Sequence, residues 1–170
     1  GSTNLTLGAV YGHSNVGHLV RDRAVAARFA AEWDRLEAGM PLYGNELGLD
    51  SNPYEAGLGR VVKLDKATEF VGRAALAQVA ANGPDRQLVG LVVRGRGIAR
   101  HGYPVHAVGE AEPVGVITSG APSPTLGVPI AMAYLPPSMT AIGTMVEVEI
   151  RAARIEAEIV PLPFYKRAGQ

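Results

Sequence analysis

The feature that most constrains the fold is an alternation of apolar residues and glutamates near the end of the chain. Residues 146–150 read Val-Glu-Val-Glu-Ile, and residues 155–159 read Ile-Glu-Ala-Glu-Ile. A period of two places alternate side chains on opposite faces of a strand, so both segments are predicted to be strands with one buried and one solvated face. Ala152 and Ala153 lie between them, which predicts a hairpin whose glutamates form its outer face.

The same period runs through most of the second half of the chain. Turn residues separate six predicted strands, at Leu88–Val93, Val105–Val108, Val114–Ser119, Ile130–Leu135, Met145–Ile150 and Ile155–Val160. A parallel sheet would need crossover helices between its strands, and no helical pattern separates these six. The segment is therefore predicted to be a small antiparallel barrel or sandwich. Residues 119–124, Ser-Gly-Ala-Pro-Ser-Pro, are predicted to be a rigid connection between two strands.

The first half has a different pattern. Arg21–Ala38 carries apolar residues at three- and four-residue spacings, which predicts a helix that Gly39 ends; these residues are Val25, Phe29, Trp33 and Leu36. Residues 40–59 contain too many glycines and prolines for a helix and are predicted to be a structured loop. Val61–Leu64 is a strand candidate, and Val71–Ala81 is predicted to be a second helix.

Asn82, Gly83 and Pro84 end that second helix and mark the clearest boundary in the chain. The predicted fold class is therefore α+β, with a helix-containing N-terminal fragment over residues 1–84 and a small antiparallel β-barrel over residues 85–170.

Composition excludes several classes of function. The 170 residues contain 16 Lys and Arg against 16 Asp and Glu, so the chain lacks the positive charge expected of a nucleic-acid or anionic-membrane binder. No apolar run reaches the roughly 18 residues of a spanning helix. The chain has no cysteine, which favours a cytoplasmic location and excludes thiol chemistry.

The four histidines do not predict a metal site. His13 and His18, like His101 and His106, are five residues apart, which is not the spacing that puts two ligands on one face of a helix. We interpret all four as ordinary loop histidines.

Five segments carry a more specific signal. In chain order they are RLEAGMPLYGNEL at 35–47, PYEAGLG at 53–59, FVGRAAL at 70–76, GVITSGAPSPTL at 115–126 and PLPFYKR at 161–167. Together they closely resemble the C-terminal half of the glycine cleavage system T-proteins, the aminomethyltransferases, and the resemblance runs from about Arg35 to Arg167.

The resemblance implies a tetrahydrofolate-dependent enzyme of glycine catabolism. Members of the family take an aminomethyl group from the lipoyl arm of the H-protein, pass its carbon to tetrahydrofolate and release ammonia. Arg35 matches the arginine that holds the folate, and Tyr165 matches an aromatic residue that closes over the same cavity. Tyr43 and Asn45 lie near this arginine in sequence and are assigned to the pocket wall.

Two departures limit what the chain is expected to do alone. Family members are about twice as long, and their catalytic aspartate and a folate-binding glutamate belong to the N-terminal half, so no catalytic residue is predicted here. Residues 1–34 do not follow the family pattern, and Arg60 stands where members often carry an aromatic residue.

Three alternatives stay open at this point. The chain is expected to be a truncated enzyme, inactive alone, that works with a complementary N-terminal half. The second alternative is a non-catalytic folate- or protein-binding module of the same origin, and the third is a structural remnant without a ligand.

Overall fold

The computed structural model of the chain describes residues 23–166. Within this range the helices are α1 (Arg23–Glu37) and α2 (Arg73–Asn82), and single 3-10 turns occupy Gly59–Val61 and Pro137–Met139. The strands are β1 (Gln87–Val93), β2 (Pro104–Ala107), β3 (Pro113–Pro122), β4 (Pro129–Leu135), β5 (Met145–Ile150) and β6 (Ala153–Val160).

The six strands form a closed barrel in the order β1-β4-β3-β2-β5-β6. Every neighbouring pair is antiparallel, so the predicted helix-containing segment followed by a small antiparallel barrel is confirmed. In the β5–β6 hairpin Glu147 lies opposite Glu156, while Val146 and Val148 are fully buried. The alternation of apolar residues and glutamates therefore identified both the strands and their buried face.

Apolar side chains form two layers. The first fills the barrel and includes Leu91, Ile117 and Val148. The second lies on the outer surface of β1 and β4, where Leu36 and the C-terminal residues Leu162 and Phe164 cover it. Because both faces of β1 and β4 are covered, these strands are continuous apolar runs, whereas β5 and β6 alternate.

Helix α1 is alanine-rich, which favours helix formation. Its end has the hydrogen bonds of a Schellman motif, from Met40 N to Arg35 O at 3.1 Å and from Gly39 N to Leu36 O at 2.9 Å, with Gly39 at φ 63°. The predicted glycine stop is confirmed. The predicted apolar face is only partly buried, because Leu36 is 5% exposed and Val25 is 38% exposed.

Two predictions about the N-terminal and central segments are wrong. Val61–Leu64 forms no strand: Val61 ends a 3-10 turn, and turns follow. Residues 119–122 are the last part of β3 rather than a connection, because a bulge between Ile117 and Ser119 allows pairing with β4 to continue. The boundary at residue 84 stays a prediction. No helix within residues 23–166 is long and apolar enough to cross a membrane.

Gly120 sits where β3 passes a neighbouring backbone, and a side chain there cannot be accommodated. A methyl group at this position would overlap the carbonyl oxygen of Ala99 and approach the Ala131 side chain to 3.2 Å. Since the first obstacle is backbone inside a closed barrel, we expect Gly120→Ala to lower the free energy of unfolding by about 1–3 kcal/mol or more. Urea denaturation of both proteins measures this change.

Gly48→Ala is the matched control for this substitution. The added methyl would meet only the carboxylate of Asp50, whose side chain is 86% exposed and can move away. A loss of stability as large in Gly48→Ala as in Gly120→Ala would contradict the steric explanation.

Candidate functional site

Three buried glutamates attach the segment before the barrel to the barrel surface. Glu37, Glu46 and Glu55 are 5%, 2% and 8% exposed. All three belong to the motifs at 35–47 and 53–59, yet sequence reasoning assigned them no role. Buried carboxylates require hydrogen-bond donors, so the partners of each one define how the segment is held.

Glu37, the last residue of α1, binds the loop that follows β3. Its Oε1 accepts hydrogen bonds from the Ser123 hydroxyl and from Thr125 N, at 3.1 Å for the latter. Its Oε2 accepts the Thr125 hydroxyl at 2.8 Å. The Glu37 carbonyl also accepts Tyr165 N at 3.1 Å, so this residue joins the helix, the loop and the C-terminal segment.

Glu46 binds strand β3 and the start of its own loop. Its Oε1 accepts the Ser119 hydroxyl, and its Oε2 accepts Leu42 N at 2.9 Å and lies 3.8 Å from Arg35 Nη1. The Tyr134 hydroxyl donates to the Glu46 carbonyl at 2.8 Å. The bulge in β3 makes this possible, because simple alternation would direct Ser119 to the same face as the core residue Ile117.

Glu55 binds the residues that lead into β1. Its Oε1 accepts Asn52 Nδ2 at 2.7 Å, and its Oε2 accepts Arg86 Nε at 2.9 Å. Arg86 lies over the Tyr134 ring with its guanidinium carbon 4.5 Å from the ring centre. Leu88 N donates to the Glu55 carbonyl at 2.8 Å, which fixes the segment at the first residues of the barrel.

Arg35 lies in the last turn of α1 with its side chain 18% exposed. Its Nη1 donates to the Met40 carbonyl at 2.6 Å, and its Nε donates to Glu32 Oε2 at 3.1 Å. Arg35 makes hydrogen bonds to the described residues through these two nitrogens only. Its Nη2 makes no hydrogen bond to residues 23–166.

The other predicted residues line two different clefts. Tyr43 and Asn45 lie in a cleft of about 380 Å³ with Arg86, His101 and Tyr134. Tyr43 is 70% exposed, and Asn45 Nδ2 donates to Ser119 Oγ at 3.3 Å.

Tyr165 lies in a second cleft, of about 420 Å³, with Asp34, Glu37, Thr125 and Lys166. Arg35 does not line either of these clefts. The described residues thus bring Tyr43 and Asn45 together but do not form one pocket from all four predicted residues.

The histidines have two different environments. His106 is in β2 and 3% exposed rather than in a loop, which corrects the sequence interpretation; its Nε2 is 3.3 Å from Glu149 Oε2 but not in hydrogen-bond geometry. His101 Nδ1 is 2.8 Å from the Thr118 carbonyl. His13 and His18 lie outside the described residues. Within residues 23–166 no three metal-ligating side chains come together.

Comparison with known proteins identifies the barrel. The family model "Glycine cleavage T-protein C-terminal barrel domain" matches residues 86–166. The crystal structure of glycine cleavage system aminomethyltransferase T from Bartonella henselae is similar over 84% of this chain and 43% of that chain, at a TM-score of 0.75 and 33% identity. The fold is thus the C-terminal barrel of this class with a short segment before it.

Curated relatives extend the similarity beyond the barrel. Aminomethyltransferases of Streptomyces coelicolor and Saccharopolyspora erythraea are 60% identical over 137 residues and 56% identical over 133 residues. These alignments cover 78% of this chain and 36% of each relative. The chain therefore matches the C-terminal region of glycine cleavage T-proteins, and it spans about a third of the length of these curated relatives.

Tyr134 in β4 is hydrogen-bonded to the loop, and its phenol makes the free energy of unfolding depend on pH in the alkaline range. Burial raises the pKa of its phenol above the usual value of about 10. Arg86 over the ring opposes this rise, and the carboxylates of Glu55, Glu46 and Asp50 add to it. The folded protein therefore holds the phenol proton more tightly than the unfolded chain does. The resulting contribution to the free energy of unfolding is present below a pH of about 10 and is lost as pH rises through the pKa of the folded state.

We expect Tyr134→Phe to lose about 1 kcal/mol of stability near pH 8, because the hydrogen bond to the Glu46 carbonyl is removed. The variant should also lose less additional stability than the parent between pH 9.5 and 11. Urea denaturation across this range measures both effects. Tyr43→Phe, which changes an exposed phenol, should follow the parent, and parallel curves for Tyr134→Phe and the parent would refute the assignment.

Proposed function

We propose that this chain supplies the C-terminal part of an aminomethyltransferase that moves a one-carbon unit from aminomethyl-lipoyl H-protein to tetrahydrofolate and releases ammonia. The relatives named aminomethyltransferase support the activity. The observation that carries the role of this chain is the Arg35 guanidinium, which is held on two nitrogens while its Nη2 makes no hydrogen bond to the described residues.

Arg35 is proposed to bind an anionic group of the folate. A guanidinium is permanently charged and presents its donors in a plane that suits carboxylate groups. Two of its nitrogens are fixed by Met40 and Glu32, so the side chain loses little further freedom when Nη2 binds a ligand. The chain's own residues thus fit a ligand of this chemistry.

Tyr165, Tyr43 and Asn45 are proposed to surround the same ligand. Tyr165 is 39% exposed and Tyr43 is 70% exposed, so both rings offer aromatic surface for a flat ligand or for a covering polypeptide. Their separation into two open clefts suggests that a further wall completes the pocket. The role of this chain would then be to bind and orient the folate.

The missing wall is proposed to come from an N-terminal remainder, either on the same longer polypeptide or on a separate one. The exposed apolar residues of the segment before the barrel support this, with Leu49 99%, Val61 63% and Val71 103% exposed. Helix α2 has no buried residue at all. We further propose that residues 1–84 are the remnant of the folate-binding domain and residues 85–170 the barrel domain.

In this scheme the chain positions reactants and supplies no acid–base group. Bound tetrahydrofolate would provide the nitrogen nucleophiles that accept the carbon, while Arg35 and the tyrosines hold it near the lipoyl arm of the H-protein. Proton transfer would depend on the N-terminal remainder. The competing proposal, a non-catalytic folate- or protein-binding module, is favoured by the same exposed apolar surface.

We expect the chain alone to bind tetrahydrofolate weakly and to form no methylenetetrahydrofolate above a blank, since positioned acid–base groups contribute typically about 100- to 10,000-fold. Adding the N-terminal remainder of the Streptomyces coelicolor relative should restore tight binding and turnover. In that mixture Arg35→Lys should weaken folate binding roughly ten- to a hundredfold, because it loses the planar fork. Calorimetry, melting and single-turnover assays measure these effects.

Arg73→Lys is a matched control for Arg35→Lys. Arg73 also donates to one glutamate and one backbone carbonyl, with Nη1 2.6 Å from Glu69 Oε1 and Nη2 2.7 Å from the Leu64 carbonyl. Arg73→Lys should change the melting temperature as much as Arg35→Lys does. At a saturating concentration of the N-terminal remainder it should leave folate affinity unchanged. Folate binding without turnover in the mixture would favour the binding module. Equal folate affinity in Arg35→Lys and the parent would remove Arg35 from the site.

A further inference from the structure

We infer that Glu46 is a positioning residue for Arg35: the buried carboxylate holds the guanidinium in the orientation that leaves its Nη2 edge open for an anionic part of the folate. This inference rests on the proposed function, because it concerns how Arg35 is prepared to bind. Sequence reasoning treated Glu46 as an ordinary member of the loop motif.

The carboxylate of Glu46 is fully withdrawn from water, with 0% of the side chain exposed. Ser119 and the Leu42 N–H fix its two oxygens and therefore its direction. Arg35 Nη1 lies 3.8 Å from Oε2, which is too long for a hydrogen bond but close enough for strong attraction where water is excluded. A rigid buried charge thus faces one nitrogen of a mostly buried cation.

Arg35 has two further contacts, of which the hydrogen bond to the Met40 carbonyl is the stronger. Glu32 is 62% exposed, and an ion pair with an exposed partner contributes little. The Met40 carbonyl, 2.6 Å away, binds the same Nη1 that faces Glu46. Nη1 is therefore held from two sides, and the planarity of the guanidinium then fixes the direction of Nη2.

Strand β3 takes part in this arrangement through Ser119. Its hydroxyl reaches Glu46 only because of the bulge after Ile117, and the Asn45 amide donates to the same oxygen at 3.3 Å. The barrel thereby fixes Glu46, and Glu46 fixes Arg35. The position of the proposed folate contact Arg35 on α1 would then depend on the register of β3. Ser119 in that strand is 73 residues from Glu46 in the sequence.

Glu46→Gln tests the inference because it removes the charge and keeps the shape. The amide oxygen can still accept Leu42 N, and the amide nitrogen can donate to Ser119. In the mixture with the Streptomyces coelicolor remainder, we expect tetrahydrofolate affinity to fall about tenfold, measured by calorimetry at saturating remainder. In the Arg35→Lys background the same change should have no further effect, because residues that act through one contact are not additive.

Glu158→Gln is the control, since Glu158 is a partly buried carboxylate that pairs with Arg94, and neither residue lines the two clefts. It should lower the melting temperature and leave folate affinity unchanged. If Glu46→Gln fails to fold, Glu46→Asp is used instead, because it keeps the negative charge but moves it away from Arg35. It should lower folate affinity by less than tenfold, and this loss should again be absent in the Arg35→Lys background.

The possible outcomes separate this inference from the proposed function. An unchanged affinity in Glu46→Gln, or an equal loss with and without Arg35, would overturn the positioning role while Arg35 stays in the site. If the parent does not bind folate in the mixture, or if Arg35→Lys binds as tightly as the parent, the proposed function fails and the inference fails with it.

Discussion

The structure depends on the burial of three carboxylates between the N-terminal segment and the barrel. Taking a carboxylate out of water costs several kcal/mol unless donors replace the lost hydration. Each carboxylate takes at least one donor from the barrel side or from the residues that lead into it: Ser123 for Glu37, Ser119 for Glu46 and Arg86 for Glu55. A shifted docking register would keep these carboxylates buried without their donors, so a single register is strongly favoured.

This constraint also explains the composition of the barrel strands. The segment and the C-terminal residues together cover the outer surface of β1 and β4, where the apolar residues form a second layer with Leu36, Leu162 and Phe164. Gly90 in β1 belongs to the same arrangement, since a side chain there would approach Leu162 to 2.7 Å and Phe164 to 2.9 Å. The polar contacts set the register, and the apolar layer supplies the area that stabilises it.

The sequence predicted the barrel strands and the structured loop over residues 40–59 but not the contacts of the loop's buried glutamates, for a physical reason. Strand periodicity is local, so the alternation around Val146 was enough to find β5 and β6 with their buried face. Burial of Glu46 depends on a bulge in a distant strand, which has no local signature. His106 was misassigned although a strand was predicted at Val105–Val108, because the histidine was judged by its spacing to His101 and not by its place in that strand. Val61–Leu64 had the composition of a strand but no partner to pair with.

The candidate site remained a matter of resemblance because its residues are brought together by the same long-range contacts. Arg35, Tyr43 and Asn45 are close in sequence, yet Arg35 is held by α1 and Glu46 while Tyr43 projects into solvent. Tyr165 lies beside the end of α1, where its N–H binds the Glu37 carbonyl and where Leu162 and Phe164 pack on the barrel. Spacing along the chain could propose these residues, but only the register of the segment on the barrel decides their arrangement.

The segment is asymmetric, and this couples its two proposed tasks. Its buried carboxylates are paired with the barrel side, whereas Leu49 and Val61 are exposed and form an apolar side. Burying one such side chain contributes about 1.5–3 kcal/mol, enough to favour association with a complementary surface. Because Leu49 lies a few residues from Tyr43 and Asn45 in one loop, a polypeptide that covered the apolar side would also restrict the proposed pocket wall. Folate and that polypeptide would then stabilise the same conformation, and each would raise the affinity of the other.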